Sequence, residues 1–192
     1  MVKTKQLIRK SQNLIQRVLG KVNATYYTRP VILFVQEQKK KNLVGLEIGT
    51  DKGINARNIL SVLDIKMLYL VDDYQPVKYE SGLYFDWSPH YKIAAQTLKN
   101  YRNQIKFIIK KSDKAVGDVP DNLDFVYIDG NHDYNFVKRD IELYYSKVKN
   151  GGVIGGHDFS TASLGVCKAV VEFAKRRHLK LYGREWDWWF AK

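Results

Sequence analysis

The stretch Leu123–Phe159 constrains the fold of this chain more than any other. It opens with the apolar run Leu123-Asp124-Phe125-Val126-Tyr127-Ile128, whose length and β-rich composition predict a buried strand. Asp129-Gly130-Asn131-His132-Asp133-Tyr134 follows. A helical pattern comes next, with Val137, Ile141, Tyr144, Tyr145 and Val148 on one face. Asn150-Gly151-Gly152 breaks that pattern, and Val153-Ile154-Gly155-Gly156 predicts a short second strand leading into His157-Asp158-Phe159. Strand, helix and strand in this order imply parallel strands joined by a right-handed crossover. Both strands then finish at the same sheet edge, which is where ligands bind in open α/β sheets. Asp129, His132, His157 and Asp158 are therefore expected to converge there.

The rest of the chain repeats the unit. Leu43-Val44-Gly45-Leu46-Glu47-Ile48 predicts the first core strand. It runs into Gly49-Thr50-Asp51-Lys52-Gly53 and then a helix carrying Ala56, Ile59, Leu60 and Leu63 on one face. A strand, a glycine turn and a helix make a nucleotide-binding start. A dinucleotide loop would place glycines where Asp51 and Ile54 stand. A carboxylate at the second of these obstructs and repels a pyrophosphate, so the turn favours a nucleoside without phosphates and disfavours a nicotinamide oxidoreductase. Lys66–Val71 predicts a second strand, and the Asp72-Asp73 that follows is placed to hydrogen-bond ribose hydroxyls. Gln75–Pro89 has no clear period and is rich in aromatic residues, including Tyr74 at its start, Tyr79, Tyr84, Phe85 and Trp87. It reads as a lid or substrate wall. Tyr91, Ala94, Ala95 and Leu98 mark a helix, and Ile105–Ile109 a third strand ending at Lys110-Lys111-Ser112-Asp113. Gly165–Arg177 is helical in pattern. Leu179–Tyr182 and Trp186–Ala191 read as two last strands, separated by too few residues for a parallel crossover and so paired as a hairpin.

A length of 192 residues suits one domain with a full core. The single cysteine, Cys167, excludes an internal disulfide and sits in an apolar helical pattern as a small core residue. No apolar run is long enough for a transmembrane helix, and the N-terminus lacks a secretory signal's apolar region. The protein is read as cytoplasmic, with a mitochondrial-type targeting segment left open by the acid-free first 36 residues. The net charge of +12 is uneven: residues 1–41 carry ten Lys/Arg against one acid, a net +9, and the remainder 22 against 19, a net +3. Residues 1–42 are expected to form a basic helical arm packed on a core of residues 43–192. Its first helix, over 5–19 with Leu7, Ile8, Leu14, Ile15, Val18 and Leu19 on one face, is capped at Gly20, and a second follows from Pro30 over Val31–Lys41. The arm suits nucleic acid, an anionic membrane or a phosphorylated substrate, or is simply a solvated face.

Taken together, Glu47-Ile48-Gly49-Thr50-Asp51-Lys52-Gly53, Asp72, Ser112-Asp113, Asp129-Gly130-Asn131-His132-Asp133-Tyr134 and Gly151-Gly152-Val153-Ile154-Gly155-Gly156-His157-Asp158 resemble the class I S-adenosylmethionine-dependent methyltransferases. They are similar in particular to a small-molecule or sugar O-methyltransferase subgroup with a D-G-x-H-x-Y segment. The resemblance covers roughly Leu43 to the C-terminus. It implies an α/β, Rossmann-like, seven-stranded sheet of order 3-2-1-4-5-7-6, last strand antiparallel, with helices on both faces. It also implies that Gly49, Thr50 and Gly53 form the cofactor loop, and that Glu47 braces it or holds the methionine amino group. Asp72 and Asp73 would take the ribose and adenosine, Ser112 and Asp113 the adenine edge, and Asp129 the methionine end.

Methyl transfer from a sulfonium is largely a matter of alignment, but an alcohol acceptor must also lose a proton. His132 is the candidate base, with Asp129 beside it; the alternative is a histidine that braces its turn. Asp133 reads as a helix N-cap. Related metal-dependent O-methyltransferases imply a divalent metal, Mn or Mg, on Asp129, His157 and Asp158. The histidine favours Mn, Fe or Zn over Mg; without a metal these residues anchor loops. Trp186, Trp188 and Trp189 are expected to cover the sheet edge rather than stack on bases. The expected activity is methyl transfer to a hydroxyl of a small molecule or sugar. A nucleic-acid methyltransferase served by the arm and a non-catalytic cofactor-binding module are the alternatives, and an oligomer is left open. The base-amine type of nucleic-acid enzyme lacks its N/D-P-P-Y/F segment here, because Asp129-Gly130-Asn131-His132 stands in its place.

Overall fold

A computed structural model describes residues 28–78 and 82–192. The helix expected over residues 5–19, its Gly20 cap and Tyr79 lie outside the described residues. The main sheet holds β1 (Leu43–Ile48), β2 (Ile65–Val71), β5 (Ile105–Ile108), β6 (Leu123–Ile128), β7 (Val148–Gly156), β8 (Tyr182–Arg184) and β9 (Asp187–Ala191). Their spatial order is β5-β2-β1-β6-β7-β9-β8. Counted along the chain within this sheet, that is 3-2-1-4-5-7-6, as the sequence predicts. β1, β2, β5, β6 and β7 are parallel, and β9 runs antiparallel to both its neighbours.

Helices cover both faces because the strands are apolar on both. Phe125 and Tyr127 of β6 face one layer with α1 (Pro30–Glu37), α2 (Ile54–Val62) and residues near α3 (His90–Thr97). Val126 and Ile128 face the other layer, with α5 (Tyr134–Tyr145) and α6 (Leu164–Arg177). The period of two along a strand divides the side chains this way. The last strand does the same: Trp188 and Phe190 belong to the α5/α6 layer and Trp189 to the α1/α2 layer. Burying each such ring contributes roughly 1.5–3 kcal/mol. The short α4 (Ser112–Ala115) follows β5. Among the described residues no helix is long and apolar enough to cross a membrane.

Several boundaries differ from expectation. α1 starts at Pro30, in the first helical turn, but ends at Glu37 rather than Lys41, and Lys39 takes a left-handed backbone (φ 52°). β7 begins at Val148 rather than Val153. Its register against β6 jumps from Leu123↔Val148 to Phe125↔Val153, so Asn150-Gly151-Gly152 is a bulge inside a strand, with Gly151 at φ 74°. The Gln75–Pro89 segment contains a small antiparallel ribbon, β3 (Val77–Lys78) on β4 (Tyr84–Phe85). The final hairpin turns at Glu185-Trp186, both with positive φ (51° and 72°), so Gly183 and Arg184 belong to β8. Positive φ at both turn residues matches the twist of flanking strands.

Candidate functional site

The carboxyl ends of β1, β2, β5 and β6 surround a cleft of about 480 Å³. Gly49 begins its wall at φ 85°. A Cβ there would strike the Asp129 carbonyl oxygen, so only glycine lets the β1 turn lie against the β6 turn. Gly53, at φ 74°, caps α2 from outside the wall; a Cβ there would crowd Leu98 of the neighbouring helix region at 3.1 Å.

Asp72 is fixed at the end of β2. Its carboxylate accepts the Asp51 N–H (2.9 Å) on one oxygen and the Tyr74 N–H (2.9 Å) on the other. Burial pushes its pKa up, and the two N–H groups work against that shift. The Asp51 N–H is thus committed to a carboxylate, while the Asp51 side chain pairs with His90 at the start of α3. Asp73 accepts the Gln75 N–H and also lines the cleft.

Glu47 lies behind this wall and is 1% exposed. Asn55 Nδ2 donates to its Oε1 at 2.8 Å, and its Oε2 is buried with no partner. Burial raises its pKa to about 8, so the carboxyl holds a proton at neutral pH. Thr50 is buried as well, beside the Tyr74 hydroxyl. At the opposite end, the Ser112 hydroxyl donates to Asp140 Oδ1 at 2.6 Å. Asp140 is buried on α5, and that burial lifts it to about 6. Asp113 turns toward Arg139 Nη1 (3.7 Å) and Lys114 (3.5 Å) instead of the cleft. Of the predicted cofactor residues, Gly49, Asp72, Asp73, Ser112 and Asp129 therefore line the cleft. Glu47, Thr50, Gly53 and Asp113 stand outside its lining.

His132 closes the cleft beside Asp129. Its Nε2 lies 3.0 Å from Asp158 Oδ2 and 3.7 Å from Asp129 Oδ1. Burial favours the neutral ring, but the two carboxylates outweigh it and hold the imidazole above its usual value of 6.5. One ligand atom from each of Asp129, His132 and Asp158 falls within 4.8 Å of the others. Of the expected metal residues, Asp129 and Asp158 belong to this group and His157 does not. Its Nδ1 is 2.8 Å from the buried Asp187 Oδ1, and its Nε2 is 2.7 Å from Arg29 Nη1. One neutral tautomer satisfies both contacts, Nδ1–H donating to the carboxylate and Nε2 accepting from the guanidinium. Asp158 has a left-handed backbone (φ 61°), which lets two consecutive side chains serve different partners. Asp133 occupies the N-cap position of α5 without a side-chain capping bond; its own N–H goes to Asn131 Oδ1 at 2.8 Å.

Trp87 belongs to the aromatic segment expected to form a wall, whereas Arg29, His90, Asp140 and Asp187 complete the surroundings and were not picked out in the sequence. Asp187 left a signal there: an acid between Trp186 and Trp188 in an apolar strand is expected to be buried and paired. Arg29 left none.

A second cavity, of about 540 Å³, adjoins the first. Trp87 and His132 line both. The second is walled by the ribbon residues Leu83 and Phe85 on one side and by Tyr134 and Leu164 on the other.

A family profile described as a methyltransferase domain matches residues 46–159. Among solved structures, the chain is similar to a protein of Staphylococcus aureus assigned provisionally as a caffeoyl-CoA O-methyltransferase, at 19% identity and TM-score 0.61, with 100% of each chain covered. It is similar to an O-methyltransferase from Bacillus cereus solved with S-adenosylhomocysteine (SAH), at 15% identity and TM-score 0.60, covering 94% of this chain and 90% of that one. It is also similar to an rRNA methylase from Streptococcus thermophilus, at 13% identity and TM-score 0.60, covering 86% and 97%. At these identities the likeness is one of fold. Among curated proteins nothing matches the chain.

Proposed function

The chain belongs to a family of S-adenosylmethionine-dependent methyltransferase domains, and on that premise we propose that it methylates a hydroxyl of a small molecule. The observation that carries this reading is the position of His132, on the shared wall between the cleft that Asp72 floors and a second, separate cavity.

The residues present fit the cofactor. Asp72 keeps lone pairs free for ribose hydroxyls, because its two N–H partners leave part of a carboxylate's acceptor capacity unused. Glu47, buried and protonated behind the β1 turn, braces the loop through Asn55. When bound, S-adenosylmethionine supplies a sulfonium methyl electrophilic enough to need no protein nucleophile. Ser112, on Asp140, edges the cleft where the adenine would lie. Asp158 and Asp129 flank His132 Nε2, so the ring is the group placed to take the acceptor's proton and to hold the resulting imidazolium between two carboxylates. The cations Lys110, Lys111 and Arg139 also line the cleft, and Lys110 and Arg139 are paired with acids.

A second reading is favoured by the cluster itself: Asp129, His132 and Asp158 would hold a divalent cation. A histidine with two carboxylates suits Mn better than Mg, and such an ion would acidify an acceptor hydroxyl. Residues 1–42 remain a proposed basic arm on the 43–192 core; α1, its described part, packs against β7 and β9.

Calorimetric titration with S-adenosylmethionine, with and without Mn or Mg, tests both readings. Binding that Asp72→Asn weakens supports the cofactor assignment, and no binding to the folded protein overturns it. Activity that survives a chelator places the proton on His132; activity restored only by Mn places the metal there.

A further inference from the structure

Three side chains of α5 converge on one residue at the β5 end of the cleft, Ser112. Tyr144, fully buried, donates its hydroxyl to the Ser112 carbonyl oxygen at 2.7 Å. Arg139 Nη2 donates to the Ser112 hydroxyl oxygen at 3.3 Å. Asp140, 2% exposed, takes the hydroxyl proton itself, on Oδ1 at 2.6 Å. A hydroxyl has one proton and two lone pairs. Here the proton goes to Asp140 and one lone pair to Arg139, which leaves one lone pair over. Burial lifts Asp140 only to about 6, so at neutral pH it is a carboxylate that accepts and cannot donate. Turning the Ser112 proton elsewhere would strip a hydrogen bond from a buried charge.

Ser112, Arg139 and Asp140 all line the cleft. β2 has β1 on one side and β5 on the other. A nucleoside with its ribose on Asp72, at the end of β2, lies against the β1 turn and extends its base toward the end of β5. α4 begins there with Ser112. The base edge therefore meets a hydroxyl fixed as an acceptor.

We propose that Asp140 is a positioning residue of the base site, holding the Ser112 proton so that the Ser112 oxygen accepts from the exocyclic amino group of an aminopurine and rejects an oxopurine. The proposal rests on the nucleoside-cofactor reading above. An amino group supplies the proton that the free lone pair lacks; an oxo group sets a second lone pair against it.

The charged groups around Asp140 are Arg139 on its own helix, Asp113 and Lys114 on α4, and Lys110, paired with Asp118, and Lys111 after β5. From α6, Glu172 and Arg176 are engaged with Tyr134 and Glu142. His132 lines the opposite end of the cleft, where its charge acts on any bound nucleoside alike.

The test is calorimetry on the full chain with SAH, its deaminated counterpart S-inosylhomocysteine, adenosine and inosine. At neutral pH, SAH is expected to bind at least about tenfold more tightly than S-inosylhomocysteine. Ser112→Ala removes the acceptor, and Asp140→Leu, close in shape, removes the group that holds the proton. Each should bring the two thioethers within about threefold of one another, while Ser112→Thr keeps the preference. In the parent chain the preference should also shrink at about pH 5, where Asp140 takes up a proton, a readout that needs no variant to fold. A residue that only supports the fold would weaken both thioethers alike and leave their ratio unchanged. Equal binding of SAH and S-inosylhomocysteine by the parent chain overturns the proposal and leaves the cofactor reading standing. So does a preference that survives Ser112→Ala, a folded Asp140→Leu variant or acid. Should neither thioether bind while adenosine is preferred over inosine in a Ser112-dependent way, the methyl-transfer reading falls and the base site stands. Binding of none of the four overturns both.

Discussion

Two histidine–aspartate groups sit side by side near the carboxyl ends of β6 and β7 and are put to opposite uses. His157 is locked between Arg29 and the fully buried Asp187, which also accepts Tyr127 Oη (3.1 Å) and the Val31 N–H (3.3 Å). His132 stands on the cleft wall with Asp129 and Asp158, each still part-exposed. The same residue types thus make a brace where every polar atom is matched. Where the group faces a cavity, they make a reactive cluster. Residue type alone did not decide which is which; the strand end each histidine follows, β6 for His132 and β7 for His157, and the partners it meets there did.

The largest effect that would test this contrast is on turnover. His132→Gln is expected to lower kcat about 10²- to 10⁴-fold, the usual contribution of a positioned proton acceptor, with thermal stability unchanged. Steady-state kinetics beside a melting curve reads both; an equal loss for His157→Gln without loss of stability would erase the distinction. Asp187→Asn should do the reverse. It leaves His157, Tyr127 and Arg29 mismatched in the core, and should cost about 3–5 kcal/mol in chemical denaturation.

Glu47 sharpens the comparison, because it is buried like Asp187 but incompletely partnered. Its carboxyl is raised to about 8 from 4.5, so the folded state keeps a proton that the unfolded chain releases. Stability should therefore decline as pH rises from about 4.5 to about 8. Glu47→Gln should flatten that decline, which is worth about 1.4 kcal/mol for each pH unit it spans, and be the more stable protein above about pH 8, read as melting temperature against pH. Arg176→Gln supplies the surface reference. It breaks an exposed pair with Glu142 (2.6 Å) and should change stability by under about 1 kcal/mol.

Much of this was legible in the sequence, for a physical reason. Runs such as Leu43–Ile48 and Leu123–Ile128 are apolar on both faces, and a strand buried on both faces leaves little alternative. The reversed last strand followed from a connection too short to cross over. Asn150-Gly151-Gly152 misled because glycine punctuates loops and bulges alike. The Glu185-Trp186 turn misled because nothing in its residues announces positive φ. At the site, ordering along the chain brought Asp129, His132, His157 and Asp158 to one edge. It carried no information on which ring would turn inward toward Asp187. Arg29 has no motif around it, and its partners lie 100 and 128 residues away in sequence.

The alternation of Trp188 and Trp189 has a mechanical corollary. One indole is rooted in each layer, so the terminal strand works as a rivet driven through the whole laminate rather than as trim along its border. Prising it off would loosen the layer under the arm and the layer under α5 in a single event, and the two halves of the interior should therefore melt together.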